Sequence, residues 1–167
     1  MKNLNHNTHR ASATEGNIPK STYGETGLND KIVIIDDDHD DINMLSHFFA
    51  KMNEEQDLAT FVSGETFLNV VRESHEAWDS QPELNVPRLI ILDINMPQCS
   101  GLDVLKEIKS YQEWKTVPII LVTGTEDDQH IQKAYELGAN AFISKPFDFF
   151  DLMQAIHRGF NFTSDLR

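Results

Sequence analysis

The sequence predicts a doubly wound α/β domain, a parallel sheet with helices on both faces. Three observations carry this prediction. Five short apolar runs recur between residues 31 and 160, a stretch of helical periodicity follows each, and capping or turn residues separate the two. Four of the runs are dominated by β-branched or other large apolar residues with few polar interruptions, as strands covered on both sides require. Strand and helix alternate in this way through all five units, which leads to βα units and a parallel sheet.

The elements come in order along the chain. The first run, 32–35, precedes Ile42, Leu45, Phe48, Phe49 and Met52 at helical spacing. The second, 58–62, precedes Phe67, Leu68 and Val71, with Ser63 as helix N-cap. Residues 72–87 are long for a connection and contain Pro82 and Pro87, so a lengthened second helix and a loop share them. The third run, 89–92, precedes Leu102, Leu105 and Ile108, and Ser100 with Asp103 has the spacing that caps a helix start. The fourth, 117–122, precedes Ile131, Ala134 and Leu137. Thr125 and Asp128 repeat the capping pattern there, and Gly138 suits the positive φ of a helix end. The fifth, 141–143, precedes Leu152, Met153, Ile156 and Phe160, with Asp148 as N-cap.

The charge balance narrows the function. Among 167 residues, 14 Lys and Arg face 27 Asp and Glu, a net charge of −13. Affinity for nucleic acid or anionic lipid rests on basic side chains, so neither is expected as a partner. The single cysteine, Cys99, excludes an internal disulfide or a Cys-rich zinc cage and suits a reducing cytoplasm. No apolar core of a signal peptide and no membrane-length apolar stretch is present. Residues 1–30 are polar and aperiodic. Lys2, Arg10 and Lys20 balance Glu15, Glu25 and Asp30, so the whole acidic excess belongs to residues 31–167. The expected organisation is a disordered extension over 1–30, one domain over 31–163 and a short end over 164–167, with no output domain.

In such sheets ligands bind beyond the carboxyl ends of the strands. The first run ends in Asp36-Asp37-Asp38, the third in Asp93, the fourth in Thr123 and the fifth in Lys145. Carboxylates delivered by two strands to one point repel each other unless a cation sits between them. An all-oxygen set with few protein donors suits Mg²⁺, which keeps several waters and bridges to phosphate oxygens. Thr123 and Lys145 would then face that phosphate from the other side. Asp38, Asp40 and Asp41 are read as acids favoured in a first helical turn. Asp36 and Asp37 precede the helix, and a cap does not require them.

The stretches KIVIIDDDHDD, SGETFLNVV, RLIILDINMPQCSGLDVLKEIK, VPIILVTGTED and AFISKPFD together resemble the receiver domain of two-component response regulators. The resemblance covers roughly residues 31 to 160. It implies a five-stranded sheet of order 2-1-3-4-5 and a stand-alone receiver. It implies Asp93 as phosphoacceptor, taking a phosphoryl group from a histidine kinase or a histidine phosphotransfer protein, with Mg²⁺ as cofactor. Asp37 would bind the metal directly, Asp36 would do so through water or orient it, and the Asn95 backbone carbonyl would be the third protein ligand. Lys145 would pair with a phosphoryl oxygen, and its bond to Pro146 would be cis. Thr123 would bond the installed phosphoryl group, and Phe142 would turn inward as the switch aromatic. Phenylalanine supplies the steric part of that switch without the hydroxyl that many members carry.

The readout would be the face of the fourth helix, fifth strand and fifth helix, docking a downstream protein or a second copy as a homodimer. The protein would then be no enzyme beyond the transfer and loss of its own phosphoryl group. Two other readings remain. One is a pseudo-receiver acting only as an interaction module, against which the complete set of five site residues argues. The other is a haloacid-dehalogenase-like phosphatase with Asp36 as nucleophile and Asp38 as acid/base. There Asp40 and Asp41 stand where the motif needs other residue types, and Asp93 goes unexplained.

Overall fold

The computed structural model describes residues 27–52, 57–77, 86–124 and 128–164, with side chains as far as residue 160. The strands β1 (Ile32–Ile35), β2 (Leu58–Phe61), β3 (Leu89–Asp93), β4 (Ile119–Thr123) and β5 (Ala141–Ser144) form one parallel sheet. Its order is β2-β1-β3-β4-β5, as the resemblance implies. The helices are α1 (His39–Lys51), α2 (Gly64–Ala77), α3 (Gly101–Ile108), α4 (Asp128–Glu136) and α5 (Phe149–Ser164). A 3₁₀ turn over Gln112–Trp114, which no periodicity announced, precedes β4. Among the described residues no helix is long and apolar enough to cross a membrane.

Strand position explains the apolar patterns. The central strands β1, β3 and β4 are buried at every residue. The edge strands β2 and β5 alternate between buried and half-buried. Val62, read as part of the second run, lies outside β2 and is 48% exposed. Val117 and Pro118 precede β4, and Pro118 contributes its carbonyl, which accepts from the Ile90 amide at 3.0 Å.

Alternate strand residues face opposite layers. Val33, Ile35, Ile90 and Leu92 pack with Phe67, Val104, Ile108 and Trp114 on the α2–α3 side. Ile32, Ile34, Leu89 and Ile91 pack with Leu45, Phe49 and Leu152 on the α1–α5 side.

The caps read from sequence form where the described residues include them. Ser100 and Asp103 make a reciprocal capping box. Asp148 and Asp151 exchange amide-to-carboxylate bonds of 3.0 and 3.1 Å, and Ser63 Oγ accepts from the Thr66 amide at 3.4 Å. Gly138 adopts φ +100°. The Thr125 cap and residues 1–26, 78–85 and 165–167 lie outside the described residues.

The sequence places residues 1–30 outside the domain, yet Leu28 is fully buried in the α2–α3 layer. Lys31 N donates to the Leu28 carbonyl at 3.1 Å, and Asp30 N to that of Val86 at 3.4 Å. An isolated apolar residue in a polar stretch has no period to betray it. Its burial depends on where the segment before β3 brings Val86.

Candidate functional site

The parallel ladder aligns the strand ends. Past the last paired residues, Asp36 N donates to Phe61 O at 3.1 Å, Ile94 N to Val122 O at 3.0 Å and Lys145 N to Thr123 O at 2.7 Å. Asp36, Asp93, Thr123 and Lys145 therefore emerge at one edge of the sheet. Asp36, Asp93 and Thr123 are buried, at 2%, 4% and 0% exposure, while Asp37 is exposed. Each buried carboxylate is fixed by the amide two residues on: Asp36 Oδ1 accepts from Asp38 N at 2.9 Å and Asp93 Oδ2 from Asn95 N at 2.8 Å. These are Asx turns, in which a short acid closes a ring on its own backbone.

Oxygens of Asp36, Asp37 and Asp93 all lie within 4.8 Å of one another. Lys145 reaches into this cluster with its Nζ 3.0 Å from Asp93 Oδ1 and 2.9 Å from Asp36 Oδ2. The Lys145–Pro146 peptide bond is cis. Asn95 Nδ2 makes a long contact of 3.5 Å with Thr123 Oγ1.

Burial first, and then the facing carboxylates, hold Asp36 and Asp93 above the ordinary carboxyl range despite the lysine. Lys145 shows the opposite balance. Burial alone would pull it down, but the bonds to Asp41, Asp36 and Asp93 outweigh that and raise it. A site that still disfavours its own negative charge beside a lysine is short of positive charge. The donor set is entirely oxygen and converges from two strands, which fits a hard divalent cation such as Mg²⁺.

Three contributions are absent from the sequence reading. Asp41, read as a helix-start acid, carries the shortest contact to Lys145, with Oδ2 2.6 Å from Nζ. The amide side chain of Asn95, and not only its backbone, faces Thr123. Gly101 has no room for a side chain, since a Cβ there would lie 2.2 Å from the Asp93 carbonyl oxygen. That lets the first turn of α3 close directly beneath the acceptor. Glycine after a capping serine was a visible signal for the last. The first two depend on contacts across 104 and 28 residues of chain.

Asp38 caps α1, its carboxylate accepting from Asp40 N at 2.8 Å, which engages the group the phosphatase reading needs as acid/base. Phe142 is half-buried and meets Tyr135 of α4 edge-to-face at 6.1 Å. The Cys99 thiol is pushed up by burial and by Asp103 and Glu65, so thiolate is disfavoured.

Residues 32–157 match the family described as the response regulator receiver domain. Response regulator Rcp1 of Synechocystis is 24% identical over 125 residues, 75% of this chain and 82% of the relative. The probable methanogenesis regulatory protein FilR2 of Methanothrix harundinacea is 29% identical over 72 residues, 43% of this chain and 46% of that protein. The matched stretch therefore spans about half of the latter's length. Among solved structures, a CheY-like receiver domain protein from Methanospirillum hungatei superposes with a TM-score of 0.65 at 19% identity, covering 83% of this chain and 99% of that one.

Proposed function

This chain belongs to the response regulator receiver domain family, and on that footing we propose that it is a phosphorylatable switch in a histidine–aspartate relay. The observation that carries the proposal is Lys145 Nζ 3.0 Å from Asp93 Oδ1 inside a group of three convergent carboxylates. In this reading Asp93 attacks the phosphorus of a phosphohistidine on a histidine kinase or phosphotransfer protein. The oxygen–phosphorus bond forms as the phosphorus–nitrogen bond breaks, and the imidazole leaves with the electron pair. Lys145 takes a phosphoryl oxygen in a loose transition state with charge spread over those oxygens. Asp36, Asp37, Asp93 and the Asn95 carbonyl would hold Mg²⁺, which when bound would neutralise that charge. The protein acts on its own aspartate and turns over no other substrate.

The installed phosphoryl group adds about −1.5 to −2 charges and three acceptors. Thr123 Oγ1 is the hydroxyl within reach of the site on β4, and bonding it favours one position of the following loop. The result is a population shift. Phe142 and Tyr135 then repack on the α4–β5–α5 face, where Tyr135 is 48% exposed and available to a protein partner or a second copy. The same reading assigns the chain to the cytoplasm, where such kinases present their phosphohistidines.

The test is incubation with acetyl phosphate and Mg²⁺, followed by intact mass spectrometry. An acid-stable, base-labile adduct absent from Asp93→Asn is expected. No adduct would leave the chain as a fixed interaction module, and an undiminished adduct in that variant would overturn Asp93 as the acceptor.

A further inference from the structure

Lys145 has three N–H donors, and three carboxylates use them: Asp41 at 2.6 Å, Asp36 at 2.9 Å and Asp93 at 3.0 Å. A phosphoryl oxygen on Asp93 can be met only if the ammonium gives up one of these. Asp36 and Asp93 belong to the oxygen group that converges for a cation, and Asp41 does not. A divalent ion on that group would satisfy Asp36 and Asp93 and leave Asp41 as a full competitor for the lysine.

Asp41 is free to compete because α1 does not need its carboxylate. Asp38 already caps the helix and accepts from the Asp40 amide. The pair is shielded enough to matter, with the Asp41 side chain 26% and that of Lys145 23% exposed.

We propose that Asp41 is a positioning residue that holds Lys145 back from the incoming phosphoryl group and so sets the rate at which Asp93 is loaded. This rests on the phosphoacceptor reading above. Asp41 acts through the lysine and touches no reacting atom. Removing its charge while keeping an oxygen acceptor, as in Asp41→Asn, releases the ammonium toward the phosphoryl group. The expected gain in loading rate is about fivefold, equivalent to the roughly 1 kcal/mol by which a charged acceptor exceeds a neutral one.

The experiment measures adduct formation from acetyl phosphate at saturating Mg²⁺ for the full chain and for Asp41→Asn, Asp40→Asn, Lys145→Gln and the Asp41→Asn/Lys145→Gln pair. Asp40 lies in the same helical turn and is exposed, so its variant removes the same charge without the lysine contact. Faster loading in Asp41→Asn alone is expected, with no gain over Lys145→Gln in the double variant.

Two further readouts separate positioning from general structure. The Mg²⁺ dissociation constant of Asp41→Asn should change by less than the loading rate does, because Asp41 lies outside the converging oxygen group and meets it only through Lys145. Melting of the four metal-free proteins in the cycle should show non-additive losses for Asp41 and Lys145. Unchanged or slower loading in Asp41→Asn, an equal gain in Asp40→Asn, a gain that survives loss of Lys145, or additive melting losses would each overturn the proposal. Absence of any adduct on the unaltered chain would instead overturn the phosphoacceptor reading, and this proposal with it.

Discussion

Replacing Asp93 by Asn should stabilise the metal-free protein, although it removes an ion pair. The magnitude comes from the geometry. Asp93 lies within 4.8 Å of an Asp36 oxygen, which at an effective dielectric of ~20 is a repulsion of about 3.5 kcal/mol. Asp37 is exposed, so its repulsion falls toward the aqueous value of about 1 kcal/mol. The lysine at 3.0 Å returns about 5.5 kcal/mol on the same scale. Attraction and repulsion thus nearly offset each other, and the burial of a carboxylate at 4% exposure decides the sign. That penalty is several kcal/mol for an ion fully removed from water, and the small net attraction with the Asn95 amide leaves about 1 to 2 kcal/mol of it uncompensated.

The raised Asp93 carboxyl points the same way. A group that binds its proton more tightly folded than unfolded loses stability on ionising. The metal-free protein should therefore weaken as pH rises from about 4 through the raised values of Asp36 and Asp93. Thermal melting in chelator across this range is the assay. Asp93→Asn should melt about 3 to 6 °C higher near neutral pH and show a shallower pH slope. Added Mg²⁺ should raise the unaltered chain and not the variant, by ligand linkage. A lower melting temperature for Asp93→Asn in chelator would refute the reasoning, because the lysine would then outweigh burial.

Three further predictions concern the surrounding structure. Asp37→Ala should weaken Mg²⁺ binding by tenfold or more, about 1.4 kcal/mol, whereas Asp40→Ala should change it little, by titration calorimetry; equal losses would make the acidic run a diffuse field. Leu28→Ala should cost about 3 kcal/mol in urea unfolding, since a fully buried leucine leaves a cavity. Gly101→Ala should cost about 3 kcal/mol and slow Asp93 loading, because the added Cβ would sit 2.2 Å from the Asp93 carbonyl oxygen and must push α3 or the acceptor aside.

The positions of Asp36, Asp93, Thr123 and Lys145 were legible because each lies at or just past the end of an apolar run, and parallel strands finish on one side. The capping residues Ser100 and Asp148 and the turn glycine Gly138 were legible for a similar reason. Their chemistry acts on backbone three or four residues away, so the local sequence holds all the information. Leu28 was not legible, because its burial is decided by the chain near Val86, far along the sequence.

By itself, then, the sequence determined the elements, the side of the sheet on which chemistry gathers and the residue types that gather there. Periodicity and strand direction are properties of short segments. Only the tertiary structure decided how the one ammonium is shared. The 2.6 Å contact that turns Asp41 from a helix-start acid into the partner of Lys145 spans 104 residues. An ion pair of that kind exists only once the sheet has brought β5 to the end of β1 by way of β3 and β4.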